Sequence, residues 1–342
     1  MKKKIAVYKR LFYIILLASL VTAMYLGAYD FNTSMLDSIY TYINTNNHTP
    51  DTYVLIELRL PRILMAILCG IGLAISGTSL QGLFKNPLAS PDLIGITSGA
   101  VLFAALTIVF GGLIMHLLTD FLKYVLLSIM AFLGALLTML FVYKMATANG
   151  KTHILILLLS GVAVSALTGA VTGFLTYLST EEELRNITFW SLGSLAGANW
   201  WKVFIVSIVV VTGSFILIRK GKVLNALMLG EKEAAHLGFD IEKTKKQIII
   251  TTSLMVGCIV AFNGTIGFIG LVVPYILRFI FKSNYVILLP LSMLLGAVIM
   301  LIADTISRLV VLPAELPIGI ITAIMGAPVF ISILINYKRK LK

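Results

Sequence analysis

Chemistry needs particular side chains at particular spacings, and in this sequence most candidate sets fail on spacing. Gly150-Lys151-Thr152 has the ending of a phosphate-binding loop, in which backbone N–H groups cradle phosphates and the lysine reaches them. That motif requires an earlier glycine where Met145 stands, and no strand pattern precedes it. ATP binding by this chain is not expected. His48, His116, His153 and His236 are scattered without ligand spacing, so no metal centre is expected. Cys69 and Cys258 both lie within apolar runs, which argues against a disulfide framework. No Ser/His/Asp set or carboxylate pair forms a catalytic constellation. Asn32, Asn47, Asn186 and Asn263 begin Asn-X-Ser/Thr triplets, a pattern short enough to arise by chance. The chain reads as a non-enzyme with no catalytic, cofactor or metal residues.

Charges in unusual places say more. Arg59 and Arg62 flank Pro61 at the start of a long apolar run, and Asp304 and Arg308 stand four apart near the end of another. The second spacing lets acid and base pair along one helical face. Ionisable groups at membrane depth are costly and tend to have a use.

The elements that position these residues are apolar helices. Of 342 residues, 59% are hydrophobic and 12% charged, about half the charged fraction of a soluble domain. Runs long enough to span are expected at roughly 11–29, 63–84, 94–118, 124–143, 153–178, 200–218, 247–262, 266–281, 285–303 and 316–336. The fold class is therefore all-α: a single membrane domain over 1–342, with about ten transmembrane helices. The first run follows MKKKIAVYKR but lacks a small-residue cleavage site, and is expected to be a retained span. Lys2, Lys3, Lys4, Lys85, Lys144, Lys151, the basic residues of 219–246, Lys282 and the terminal lysines fall on one side. The net charge of +12 is then a positive-inside signature, not a nucleic-acid footprint, and puts both termini in the cytoplasm. Arg59, Arg62 and Arg308 lie on the opposite, cation-poor side.

Small residues set the expected packing. Gly70, Gly72, Ala74, Ser76, Gly77, Ser79 and Gly82 recur in the second span, and Gly161, Ser165, Gly169 and Gly173 fall four apart in the fifth. Both patterns suit close helix approach in lipid. Gly264, Gly267 and Gly270 ahead of Pro274 predict an interrupted helix, either a transport-pathway feature or a packing kink. Thr180-Glu181-Glu182-Glu183 starts a short amphipathic helix with a capping box on the outer side. In the 219–246 loop, Leu229 to Gly238 reads as a short helix between glycines, with Ala234 and Leu237 as its apolar face. Such a face suits a cytoplasmic partner or a plain connector.

Arg59-Leu60-Pro61-Arg62, Leu73-Ala74-Ile75-Ser76-Gly77, Leu80-Gln81, Asn86-Pro87-Leu88-Ala89 and Pro91 with Leu93 and Gly95 resemble the permeases of the FecCD family. These are membrane subunits of ABC importers for iron–siderophore, haem and cobalamin. Leu229-Gly230 with Ala234, Leu237 and Gly238, then Gly267 to Leu271 with Pro274 and Arg278, then Asp304, Arg308, Glu315 to Gly319 and Gly326 to Phe330 extend the resemblance along the chain. Tyr275 departs from it, standing where the family commonly has histidine.

The resemblance implies ten helices per subunit and a second permease subunit, the same or homologous, around one central path. It implies two cytoplasmic ATPase subunits and an extracytoplasmic binding protein, at a bacterial plasma membrane. Gly230, Glu231, Ala234, Leu237 and Gly238 would couple to the ATPase. Thr152, His153, Ile154 and Leu155, with Gly161 and Ser165 beyond, would form the inner gate and pathway. Arg59, Arg62 and Arg308 would receive acidic side chains of the binding protein. The cargo would be an iron chelate, ferric siderophore before haem or cobalamin. A rival reading, an ion-gradient-driven secondary transporter, rests on Asp304 and the broken segment at Gly264–Pro274.

Overall fold

In hydrocarbon every backbone N–H and C=O must find a partner within the chain, which selects helices. The computed structural model describes residues 2–27, 29, 31, 49–112 and 118–340. Its helices in order are α1 (Lys2–Tyr25), α2 (Pro50–Leu83), α3 (Ile96–Phe110), α4 (Asp120–Ala146), α5 (Ile154–Leu178), α6 (Glu181–Leu192) and α7 (Trp200–Ile218). Then follow α8 (Gly221–Leu227), α9 (Glu231–His236), α10 (Ile241–Asn263), α11 (Ile269–Phe281), α12 (Tyr285–Leu309) and α13 (Ile318–Lys340).

Among the described residues, seven helices are long and apolar enough to cross a membrane: α1, α2, α4, α5, α7, α10 and α12. The apolar helices α3, α11 and the first part of α13 are shorter. Each expected segment falls on one of these helices, but several boundaries move. The second begins at Pro50, not near 63, through a π-helical stretch at Val54–Arg59, so part of the connection expected between the first two spans is helical. Thr147–Ala148 (β1) and Lys151–Thr152 (β2) pair antiparallel, a small ladder the all-α expectation omitted. His48, His116 and Asn32 lie outside the described residues.

Helix α2 is the centre of the packing: 78% of its apolar window is buried, against 28% for α5. Its small residues are the reason. A Cβ on Gly70 would overlap the Gly296 carbonyl of α12, and one on Gly77 would overlap the Gly270 carbonyl of α11. Backbones therefore touch at two heights, giving the dispersion contacts that hold helices together in lipid. The matching stripe on α5 is used only in part. Gly161 sits against the Leu93 carbonyl, and Ser98 Oγ donates to Ser165 Oγ at 3.1 Å. A Cβ on Gly169 or Gly173 would meet no neighbouring element within 4 Å.

The expected break is present. α10 ends at Asn263, and Gly264 (φ 68°) and Phe268 (φ 67°) turn the chain before α11, which carries Pro274 internally. A side chain on Gly264 would strike the Trp190 carbonyl of α6, so the loop is held against the outer corner. At the opposite end, Tyr8 of α1 meets Phe281 of α11 edge-on at 5.3 Å.

Replacing Gly77 by valine is expected to lower the melting temperature of the detergent-solubilised protein clearly, since overpacking costs about 1–3 kcal/mol. Gly169→Ala should leave it unchanged. Equal thermal shifts for the two variants would show that the α2–α11 contact is not the constraint described.

Candidate functional site

Where the start of α10 packs beside the hairpin that leads into α5, one lysine gathers three segments. Asp240 caps α10 by accepting from the Lys243 N–H at 3.0 Å. This places Glu242 in the first turn and Lys245 one turn later, on the same face. Lys245 Nζ donates to Glu231 Oε2 at 2.9 Å, Glu242 Oε1 at 2.9 Å and the Thr152 carbonyl at 3.1 Å. An ammonium has three donors, and all three are used. Glu242 Oε2 also accepts from the Thr152 N–H at 2.8 Å. Both backbone groups of Thr152 are thus held, one by each member of an ion pair. The lysine side chain is 4% exposed, while Glu231 and Glu242 are 50% and 35% exposed, so the cation is sequestered and its partners reach water.

The junction joins the two sets that the sequence assigned to coupling and to the inner gate. Glu231 opens α9, after Gly230 at φ 148°, where a Cβ would overlap the Glu233 carboxylate. Thr152 ends β2, directly before α5. Neither Glu242 nor Lys245 was among the expected site residues. The available signal was an acid and a base three apart in the first turn of an apolar helix.

The expected contact face of α9 needs correction. Ala234 is 0% exposed and belongs to the core. Leu237 is the C-cap residue, its N–H still bonded to the Glu233 carbonyl at 3.1 Å, and stands 62% exposed; Leu229, ahead of the helix, is 72% exposed. The outward apolar pair is Leu229 and Leu237. Gly238, at φ 84°, closes the turn. At the start of α5, Thr152 and Leu157 are buried, Ile154 is half-buried, His153 is exposed, and Leu155 and Leu159 project outward. Nearby, Lys220 donates to Gln247, and partial burial with Lys243 close by draws its pKa below the usual lysine value. A second cluster fastens α11 to α2: Arg278 donates to Gln81 Oε1 and to the Pro87 carbonyl, and Gln81 Nε2 donates to the Gly270 carbonyl.

The three arginines expected to receive a partner's carboxylates are turned into the chain. Arg59, Arg62 and Arg308 are 6%, 9% and 6% exposed. Arg62 Nε pairs with Asp304 Oδ1 at 2.8 Å and Nη1 with Glu315 Oε1 at 2.8 Å, and Arg308 Nε lies 3.2 Å from Asp304 Oδ2. Arg308 also donates to the Leu26 and Ala23 carbonyls, and Arg59 to those of Met24, Tyr25 and Tyr29. These include the last carbonyls of α1, which have no intrahelical partner and carry the negative end of the helix dipole. The cations on the cation-poor side therefore close the end of α1 and neutralise Asp304. Proximity in sequence could suggest the Asp304–Arg308 pair, but not Glu315 or the α1 carbonyls, which arrive from distant segments.

The model of the FecCD transport family matches residues 15–336. The hemin transport system permease protein HmuU of Yersinia pestis is 37% identical over 303 residues, 89% of each chain. The cobalamin import system permease protein BtuC of Halobacterium salinarum is 40% identical over 277 residues, 81% of this chain and 72% of that protein. A solved inward-facing metal-chelate type ABC transporter superposes with a TM-score of 0.82 at 34% identity, covering 95% of this chain and 97% of its own.

Asp304→Ala would leave Arg62 and Arg308 as neighbouring buried cations, a loss of about 3–5 kcal/mol for a broken buried pair. Glu315→Ala, with its side chain 39% exposed, should cost under about 1 kcal/mol. Thermal unfolding of the two variants checks the order. A reversed order would show that Asp304 does not hold the cluster.

Proposed function

The chain belongs to the FecCD transport family, and on that premise we propose that it is the pathway subunit of an importer whose ATPase subunits are separate chains. A second permease subunit, the same or homologous, would face the open side of α5 across the path, two ATPase subunits would sit below, and an extracytoplasmic binding protein would deliver cargo. The setting is a bacterial plasma membrane with both termini in the cytoplasm. The cargo is an iron chelate, ferric siderophore before haem or cobalamin. Such a ligand needs a wide path with adaptable walls rather than a dehydrating ion filter.

One observation supports the coupling mechanism: the sequestered Lys245 bridging Glu231 and Thr152. Docked on Leu229 and Leu237, the ATPase pushes α9 as its nucleotide dimer closes. Lys245 and Glu242 carry that displacement to Thr152, and with it Ile154 and Leu155 at the inner gate. Because Thr152 is held through its backbone, the push moves the start of α5 instead of a single side chain. The bistable element is the pair of α5 helices, one from each permease subunit. On the outer side, Arg59, Arg62 and Arg308 serve binding-protein docking indirectly, by fixing the ends of α1, α2 and α12. The secondary-transporter reading loses its main support, since Asp304 is fully buried between two arginines.

In proteoliposomes holding the permease, its ATPase and its binding protein, uptake should require ATP and survive ionophores that collapse ion gradients. Leu237→Glu should weaken ATPase association at least tenfold, about 1.4 kcal/mol, by burying an unpaired charge. Lys245→Met should keep the association and ATP hydrolysis but lose most uptake. Uptake abolished by ionophores, or wild-type uptake in Lys245→Met, would overturn the proposal.

A further inference from the structure

A cavity of about 450 Å³ lies beside α5, its walls mostly apolar (Val101 and Ile266 among them) with several polar side chains set into them. Asp92 from the 3-10 turn Pro91–Ile94, Thr97 and Ser98 of α3, Ser165 of α5, Ser191 of α6 and Thr265 of the loop before α11 line it. Ser165 is the twelfth residue of the 25 in α5, which puts the cavity about 17 Å along a helix about 37 Å long. That is near the middle of α5, a helix long and apolar enough to cross a membrane. The cavity adjoins the stripe of α5 on which Gly169 and Gly173 meet no neighbour.

Asp92 is exposed to this space, and its Oδ1 accepts from Thr97 Oγ1 at 2.6 Å. Among the described residues, the salt bridges do not include it. A carboxylate at this depth without a cation is costly unless it faces a water-filled path. In such a low-dielectric cleft its field is focused, attracting cations and repelling anions. Hydroxyls around it supply hydrogen bonds of either sense.

We infer that Asp92 and the hydroxyls around it form a cargo-contact site that selects neutral or cationic chelates rich in N–H and O–H donors. This rests on the importer reading and narrows its substrate class. A ferric ion and three hydroxamate monoanions cancel to a neutral complex, and a pendant ammonium makes it a cation. A ferric tris-catecholate keeps a triple negative charge, and an oxyanion such as molybdate a double one. The first class fits the carboxylate wall, and the other two are repelled by it.

The field can be tested without knowing the cargo. In the assembled complex, Ser165→Cys is labelled with a cationic and with an anionic methanethiosulfonate of similar size. Cys69 and Cys258 are buried at 0% and 4% exposure, so they contribute little background. The cationic reagent should react faster, by on the order of tenfold, and Asp92→Asn should remove most of that ratio. A cysteine inert to both reagents, or a ratio unchanged by Asp92→Asn, overturns the site. In parallel, ATP-driven uptake is measured with a ferric trihydroxamate carrying an ammonium, a ferric tris-catecholate and molybdate. Uptake of the trihydroxamate, reduced severalfold by Asp92→Asn and retained by Asp92→Glu, supports the inference. ATP-dependent uptake confined to an anionic cargo overturns the selectivity but leaves the importer reading standing. Uptake independent of the ATPase overturns that reading instead.

Discussion

Two places where backbones touch, Gly70 against Gly296 and Gly77 against Gly270, constrain everything else in this structure. Between helices in lipid the hydrophobic effect offers little, so association depends on close contact and on polar groups that find partners. With side chains removed at these points, α2 can sit between α11 and α12 with no gap. The short α11 and the loop before it are then fixed in height, and with them the outer corner made by Trp190 and Gly264. Pairing at the centre leaves α5 the least enclosed of the seven long apolar helices after α1, with a glycine stripe facing outward.

Both ends of the bundle are fastened in the same way, by a buried cation that binds carboxylates and main-chain carbonyls together. At the outer end, Arg62, Arg308 and Asp304 are all sequestered, and Arg59 and Arg308 complete the end of α1. Of the charged groups in that cluster only Glu315 is substantially exposed, which suits a rigid anchor. At the other end, Lys245 is sequestered but Glu231 and Glu242 are 50% and 35% exposed. A partner that displaces α9 thus acts on a carboxylate ligated by a cation that also holds Thr152. The difference in exposure is what separates an anchor from a lever.

Much of this was legible in the sequence because apolar runs, small-residue spacing and lysine distribution are local signals. The break before α11, the capping box at Thr180 and the α9 segment followed from glycines and caps a few residues apart. The misplaced parts were long-range. Whether an arginine on the outer side faces water or the chain depends on where α1 ends, 35 residues earlier than Arg59 in the case of Met24. Ala234 and Leu237 stand three apart, but Ala234 packs into the core while Leu237 projects outward, a split set by what the short helix lies against and not by its own spacing. Lys245 carried a weak local signal, but its third ligand is the Thr152 carbonyl, 93 residues away, and no periodicity reports that.

The central claim is that α9 and the start of α5 move as one body through Lys245. Electron–electron distance measurements on the assembled transporter test it directly, with spin labels at Lys232 and Lys151 of one chain and, separately, at Leu155 of both permease subunits. The account predicts that the Lys232–Lys151 distance stays constant between nucleotide-free and ATP-bound states while the Leu155–Leu155 distance changes. A Lys232–Lys151 distance that changes with nucleotide while the Leu155 pair stays fixed would contradict it.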